Sequence, residues 1–98
     1  VYNHYGCWCG KGGGGTPVDG IDMCCKTHDF CYRTARISKI CSRIQLYFDN
    51  YDWNCMNNTA ICAGKTPCEQ ALCKCDVDVV RCWGKYTKPD SKKKCEEE

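Results

Sequence analysis

Two stretches of the chain repeat their apolar and cysteine positions with helical period. Cys24, His28, Cys31 and Ala35 fall at i, i+4, i+7 and i+11, which is one face of a helix. That helix is predicted from about Asp19 to about Ile37, after Thr16-Pro17-Val18. Asp19 is its N-cap, with Asp22 three residues on in capping-box spacing. Cys68, Leu72, Cys75, Val79 and Cys82 form a second stripe, on a helix predicted from about Cys68 to about Tyr86. Cys24 is as far from Cys31 as Cys75 is from Cys82. Antiparallel helices would set Cys24 opposite Cys82 and Cys31 opposite Cys75. Two disulfides would then staple them, with His28 between the staples and Asp76 beside the second. Between the helices, the run Asp52 to Cys62 has turn residues at its centre. Asn57-Asn58 suits a tight hairpin, so a short two-stranded ribbon is expected. Asn57-Asn58-Thr59 is also a glycosylation sequon, at what would be an exposed tip.

Composition explains why cysteines dominate these stripes. The 98 residues are read as one domain, residues 1–98, and include 13 cysteines but few Leu, Ile or Val. So small an apolar core stabilises a domain weakly, and disulfides constrain the unfolded chain instead, at roughly 2–4 kcal/mol each. Cytosolic thiols stay reduced, so the framework implies an oxidising compartment and a secreted, extracellular protein. No apolar run is long enough for a membrane span or a signal sequence, and Val1 is read as a processed or trimmed start. Thirteen is odd, so one cysteine lacks an intrachain partner. The net charge of +2 is a weak signal. Arg33, Arg36, Lys39 and Arg43 read as a solvated helix face, and the Lys92–Lys94 run precedes an acidic tail, Glu96–Glu98. Basic residues this few, without a motif, do not make a nucleic-acid site.

The candidate chemistry lies in Cys24-Cys25-Lys26-Thr27-His28-Asp29-Phe30-Cys31. A lone helical histidine is usually structural, but this one is flanked by Asp29 and faces a second predicted carboxylate, Asp76. A histidine base needs its far nitrogen held by an acceptor, and Asp76 suits that task. Asp29 points about 100° away around the helix. It suits a hard cation such as Ca²⁺, which takes carboxylate and carbonyl oxygens. The glycine-rich segment 5–15 supplies carbonyls on a backbone free to turn sharply. A rival reading makes Cys24, His28 and Cys31 zinc ligands. It is disfavoured by the disulfide-compatible helix pattern.

These residues resemble a known family. Tyr5-Gly6-Cys7-Trp8-Cys9-Gly10-Lys11-Gly12-Gly13 looks like the calcium loop of secreted phospholipase A2. Cys24-Cys25-Lys26-Thr27-His28-Asp29-Phe30-Cys31-Tyr32 resembles that family's C-C-x-x-H-D-x-C signature, and Cys73-Lys74-Cys75-Asp76 its second active-site segment. The resemblance covers essentially the whole chain. It implies a small, mainly α, disulfide-rich fold: two long antiparallel disulfide-linked helices, a calcium-binding loop and a short two-stranded ribbon. It implies Ca²⁺-dependent hydrolysis of the sn-2 ester of glycerophospholipids at a membrane or micelle surface, giving a fatty acid and a lysophospholipid. His28 would be the general base, Asp76 its orienter, and Tyr32 and Tyr51 the tyrosines that hydrogen-bond Asp76. Ca²⁺ would be held by Asp29 and the carbonyls of Trp8, Gly10 and Gly12, with the Gly10 N–H donating to the oxyanion.

The family pattern implies the disulfides Cys7–Cys95, Cys9–Cys25, Cys24–Cys82, Cys31–Cys75, Cys41–Cys68 and Cys62–Cys73, leaving Cys55 over. Phe30 stands where the viperid-type branch has a cysteine, so the pancreatic and elapid-venom branch, group I, fits better. In that branch the partner of Cys55 lies on an N-terminal helix ahead of the segment that begins this chain. That helix is expected to be absent here. Cys55 is then free, or joined to an N-terminal peptide or a second chain. The alternative function is a non-enzymatic toxin subunit or receptor-binding protein on the same scaffold.

Overall fold

The computed structural model describes residues 2–10, 13–48, 51, 53–57 and 59–95, without the side chains of Tyr47 and Phe48. Lys11, Gly12, Asp52, Asn58 and the Glu96–Glu98 tail therefore lie outside the described residues. The fold is mainly helical: α1 (Gly20–Ile37), α2 (Arg43–Phe48), β1 (Trp53–Met56), β2 (Thr59–Cys62) and α3 (Pro67–Trp83). It divides into two compact units, Val1–Asp29 with Val79–Glu98, and Phe30–Asp78. All six expected disulfides are formed, and Cys55 is the free, exposed cysteine.

In the first unit, α1 begins as its sequence predicts. Asp19 caps it, accepting the Asp22 N–H at Oδ1 over 2.9 Å. Asp19 also accepts the Tyr5 hydroxyl and pairs with Lys93 at 3.2 Å. Burial pushes its carboxyl upward, but the bonds from Tyr5, the Asp22 N–H and Lys93 outweigh burial and hold it below the usual carboxylate range. Around this cap, Tyr5, Cys9, Ile21 and Cys25 form a buried cluster flanked by Tyr2, Trp8, Val18 and Trp83. Tyr2 meets the rings of Tyr5 and Trp83 edge-on, at 5.4 and 5.1 Å. The C-terminal segment closes the unit. Gly6 N–H donates to Lys93 O over 2.8 Å, and Cys7 is bonded to Cys95.

In the second unit, Ala35, Cys41, Cys68 and Leu72 are buried together, with Tyr32, Leu46, Tyr51 and Ala71 against them. The helix carrying Arg33 and Arg36 stops at Ile37, because Lys39 turns into the left-handed region at φ 66°. The basic run is thus not one helix face: Lys39 lies past the end of α1 and Arg43 opens α2. That short helix starts on a complete capping box. Gln45 N–H donates to Ser42 Oγ at 3.2 Å and Ser42 N–H to Gln45 Oε1 at 2.8 Å. The ribbon pairs Trp53 with Cys62 through to Met56 with Thr59, antiparallel. Two residues remain for the turn, and Asn57 is left-handed at φ 53° as a tight hairpin requires.

The second long helix differs from its predicted span of Cys68 to Tyr86. It starts one residue earlier, where Thr66 Oγ1 accepts the Glu69 N–H at 3.1 Å and Pro67 takes the first helical position. It ends three residues sooner. Beyond Trp83 the Lys85 and Tyr86 N–H groups reach only three residues back, to Cys82 and Trp83, and Gly84 lowers the cost of leaving the helix.

Replacing Asp19 by Ala removes the cap of α1 and leaves the buried Tyr5 hydroxyl without its acceptor. We expect a loss of about 2–4 kcal/mol from these two effects, read as a lower denaturation midpoint in guanidinium. Because the Asp19 carboxyl is held low in the folded chain, its contribution is complete above the unfolded value of about 3.9 and is lost on further acidification. The variant and the parent should therefore converge in stability at strongly acidic pH.

Candidate active site

The first unit places His28 and Asp29 on successive positions of α1. The turn before them is locked by two disulfides, Cys24–Cys82 and Cys9–Cys25. His28 is partly buried, with Nδ1 3.9 Å from Asp29 Oδ1. The glycine-rich segment, which meets Asp29 at Gly13, begins as a narrow closed turn. Tyr5 N–H donates to Cys9 O at 3.0 Å, and Cys9 N–H returns to Tyr5 O at 3.1 Å. Gly6 and Gly10 have φ of 59° and 127°, where side-chain-bearing residues are strained. The far limb is tied back to this turn: Gly14 N–H donates to Cys7 O at 3.2 Å, and Trp8 Nε1–H to Gly15 O at 2.9 Å. Lys26 Nζ lies 5.3 Å over the Trp8 ring.

The decisive contact is at Gly13. A Cβ there would lie 2.8 Å from Asp29 Oδ2 and 2.7 Å from Cε3 of Trp8, so only glycine lets the loop rest against that carboxylate. The donor set gathered in this unit is one carboxylate, Asp29, beside a backbone rich in carbonyls. That chemistry fits a hard cation such as Ca²⁺. Trp8 and Gly10 lie in the loop as expected, whereas Gly12 is outside the described residues. Among the described residues no group of three or more His, Cys, Asp or Glu side chains could hold a metal, so a cation here depends on backbone oxygens. The zinc reading is overturned, because Cys24 and Cys31 are both half-cystines and offer no thiolate.

The second unit holds Asp76, on α3 next to the Cys31–Cys75 disulfide. Tyr32, one turn beyond His28 on α1, donates its hydroxyl to Asp76 Oδ1 at 2.9 Å. Tyr51, just ahead of β1, donates to Oδ2. Both phenols are raised above their ordinary pKa, first by burial and then by the charge and hydrogen bond of Asp76. Each carboxylate oxygen thus has a fixed donor, which sets the plane of the carboxylate.

Sequence reasoning missed one residue that shapes the loop. Asp22 was expected to serve the helix start alone. It is completely buried, and it accepts the N–H groups of Cys7 at 2.8 Å, Trp8 at 2.7 Å and Val18 at 2.9 Å. Its capping-box spacing signalled a role for the carboxylate, but two of its three donors are distant in sequence.

A family model described as Phospholipase A2 matches residues 1–95. A curated protein named Phospholipase A2, from Bos taurus, is 42% identical over 87 residues, which is 86% of this chain. The match spans 60% of that relative's length.

The Asp76 cluster makes an alkaline prediction. Tyr32 and Tyr51 stay protonated in the folded chain to a higher pH than in the unfolded one. Their stabilising effect is therefore complete below about pH 10 and lost as pH rises further. Ultraviolet titration should show phenols that ionise late and together with unfolding. Tyr51→Phe should reduce the amplitude of that late phase by one tyrosine.

Proposed function

The chain belongs to the phospholipase A2 family, and from that footing we propose that it is a secreted, Ca²⁺-dependent hydrolase of phospholipid esters. The bond cut is the sn-2 ester of a glycerophospholipid at a membrane or micelle surface, and the products are a fatty acid and a lysophospholipid. The observation that carries this reading is Asp76, a carboxylate held on both oxygens by Tyr32 and Tyr51. That is the fixed acceptor a histidine base requires, in a chain that also keeps His28 and Asp29. The disulfide framework supports an oxidising, extracellular setting, and no helix of the described residues is long and apolar enough to cross a membrane.

In this reading His28 takes a proton from the attacking water, while Asp76 holds the imidazole in the tautomer that leaves the near nitrogen basic. The Gly10 N–H donates to the oxygen on which negative charge develops. Asp29 and the carbonyls of Trp8, Gly10 and Gly12 would hold Ca²⁺. Bound there, the cation supplies positive charge that polarises the ester carbonyl. Cys55, exposed on β1, is the proposed point at which a further peptide or a second chain is joined. Intact mass before and after reduction reads that directly.

His28→Gln should reduce release of fatty acid from phospholipid vesicles by roughly 10²–10⁴-fold, the usual share of a general base, with the circular-dichroism spectrum unchanged. Near-parental release would remove His28 from the reaction. Asp29→Lys sets an ammonium at the cation position, and titration calorimetry should then detect no Ca²⁺ binding. Heat of binding equal to the parent's would rule out Asp29 as a ligand.

A further inference from the structure

We infer that Asp22 is a positioning residue for the loop: its buried carboxylate sets the turn at Cys7 and Trp8, and through it Gly13–Gly15, against Asp29 before any cation arrives. The inference rests on the Ca²⁺ reading above and extends it to a residue that touches neither metal nor substrate.

Asp22 occupies an unusual position for a charge. An acidic residue in the first turn of a helix ordinarily sits at the surface, where it meets the helix dipole. Asp22 is 0% exposed. Burying a carboxylate is costly unless it is fully hydrogen-bonded, and here the bonds are backbone amides. Oδ2 accepts Cys7 N–H and Val18 N–H, and Oδ1 accepts Trp8 N–H. One side chain of α1 thus ties the start of the glycine-rich segment to Val18, on the approach to the helix. Gly6 lets it do so, because a Cβ on Gly6 would overlap the Asp22 carboxylate.

The bonds continue from there to Asp29. Asp22 fixes Cys7 and Trp8. Cys7 O then receives Gly14 N–H, and the Trp8 indole donates to Gly15 O. Those two bonds set the limb that carries Gly13, which lies against Asp29 Oδ2 and the Trp8 ring. Asp29 itself is seven residues beyond Asp22, two turns along the same helix face. The carboxylate proposed to bind the cation and the carboxylate that anchors the loop are therefore held at a fixed spacing by α1. With Cys7 and Trp8 already bonded, as are Tyr5, Gly6 and Cys9, all five amide donors of residues 5–9 are engaged. Residues 5–9, held this way, have little ordering left to do when a cation binds, and so cost it little affinity.

Asparagine discriminates this role from a merely structural one. Its single oxygen can keep the Cys7 and Val18 bonds, but its amide then opposes the Trp8 N–H. We expect Asp22→Asn to bind Ca²⁺ roughly 10–100-fold more weakly by titration calorimetry, the usual penalty for losing an outer partner of a metal site. The near-ultraviolet circular dichroism should be retained. The parent protein without Ca²⁺ provides a measurement independent of any variant: the Cys7 and Trp8 amides should already be protected from hydrogen exchange. Parental Ca²⁺ affinity in a folded Asp22→Asn, or unprotected Cys7 and Trp8 amides in the metal-free parent, would overturn the inference. If Asp22→Asn does not fold, the exchange measurement decides alone. A parent that binds no Ca²⁺ at all would instead overturn the underlying reading of the site, and this inference with it.

Discussion

Cystine takes the place of a hydrophobic core in this protein, and the rest of the structure depends on that substitution. Among the described residues twelve apolar side chains are buried; seven are half-cystines, and the remainder are Tyr5, Ile21, Ala35, Leu72 and Val79. Burial at about 25 cal/mol per Å² cannot hold so few side chains against the entropy of the chain. Six covalent links lower that entropy in the unfolded state instead. Each compact unit contains three of them. Because covalent links do the work of packing, large apolar side chains such as Met23, Trp53, Met56 and Val80 can remain exposed.

The same arrangement frees polar groups for placement. In the first unit, Asp19 and Asp22 lie three residues apart at the start of α1, yet they do different work. Asp19 caps the helix and joins Tyr5 and Lys93. Asp22 takes three amides from the loop and the helix approach. In the second unit, two tyrosine hydroxyls converge on Asp76. In each case a carboxylate is made stiff by donors of complementary charge or dipole rather than by close apolar packing. Such stiffness is what a proposed base-orienting or loop-anchoring carboxylate requires.

Periodicity and cysteine spacing determined much of this protein from the sequence alone. Helical repeats are local, so the stripes through His28 and through Asp76 could be read directly. The matched spacing of Cys24 and Cys31 with Cys75 and Cys82 was enough to pair them. Asn57 at a two-residue turn marked the ribbon. A local signal can also be overlooked: Ser42-Arg43-Ile44-Gln45 announces α2 through its capping box, but the helix is too short to build an apolar stripe. The C-terminal end of α3 was overestimated because Val79 and Cys82 continue the stripe up to the point where Gly84 breaks the backbone.

Tertiary structure alone decided what the carboxylates do. Nothing near Asp22 in the sequence indicates that its charge is buried, because two of its donors come from a turn 14 and 15 residues earlier in the chain. The fit of Gly13 against Asp29 and Trp8 likewise exists only once the loop is folded back on α1. Helix and turn preferences depend on neighbours along the chain, and a sequence displays those neighbours. A hydrogen bond to a distant amide depends on where the chain returns, and that is set by the disulfides and the packing together.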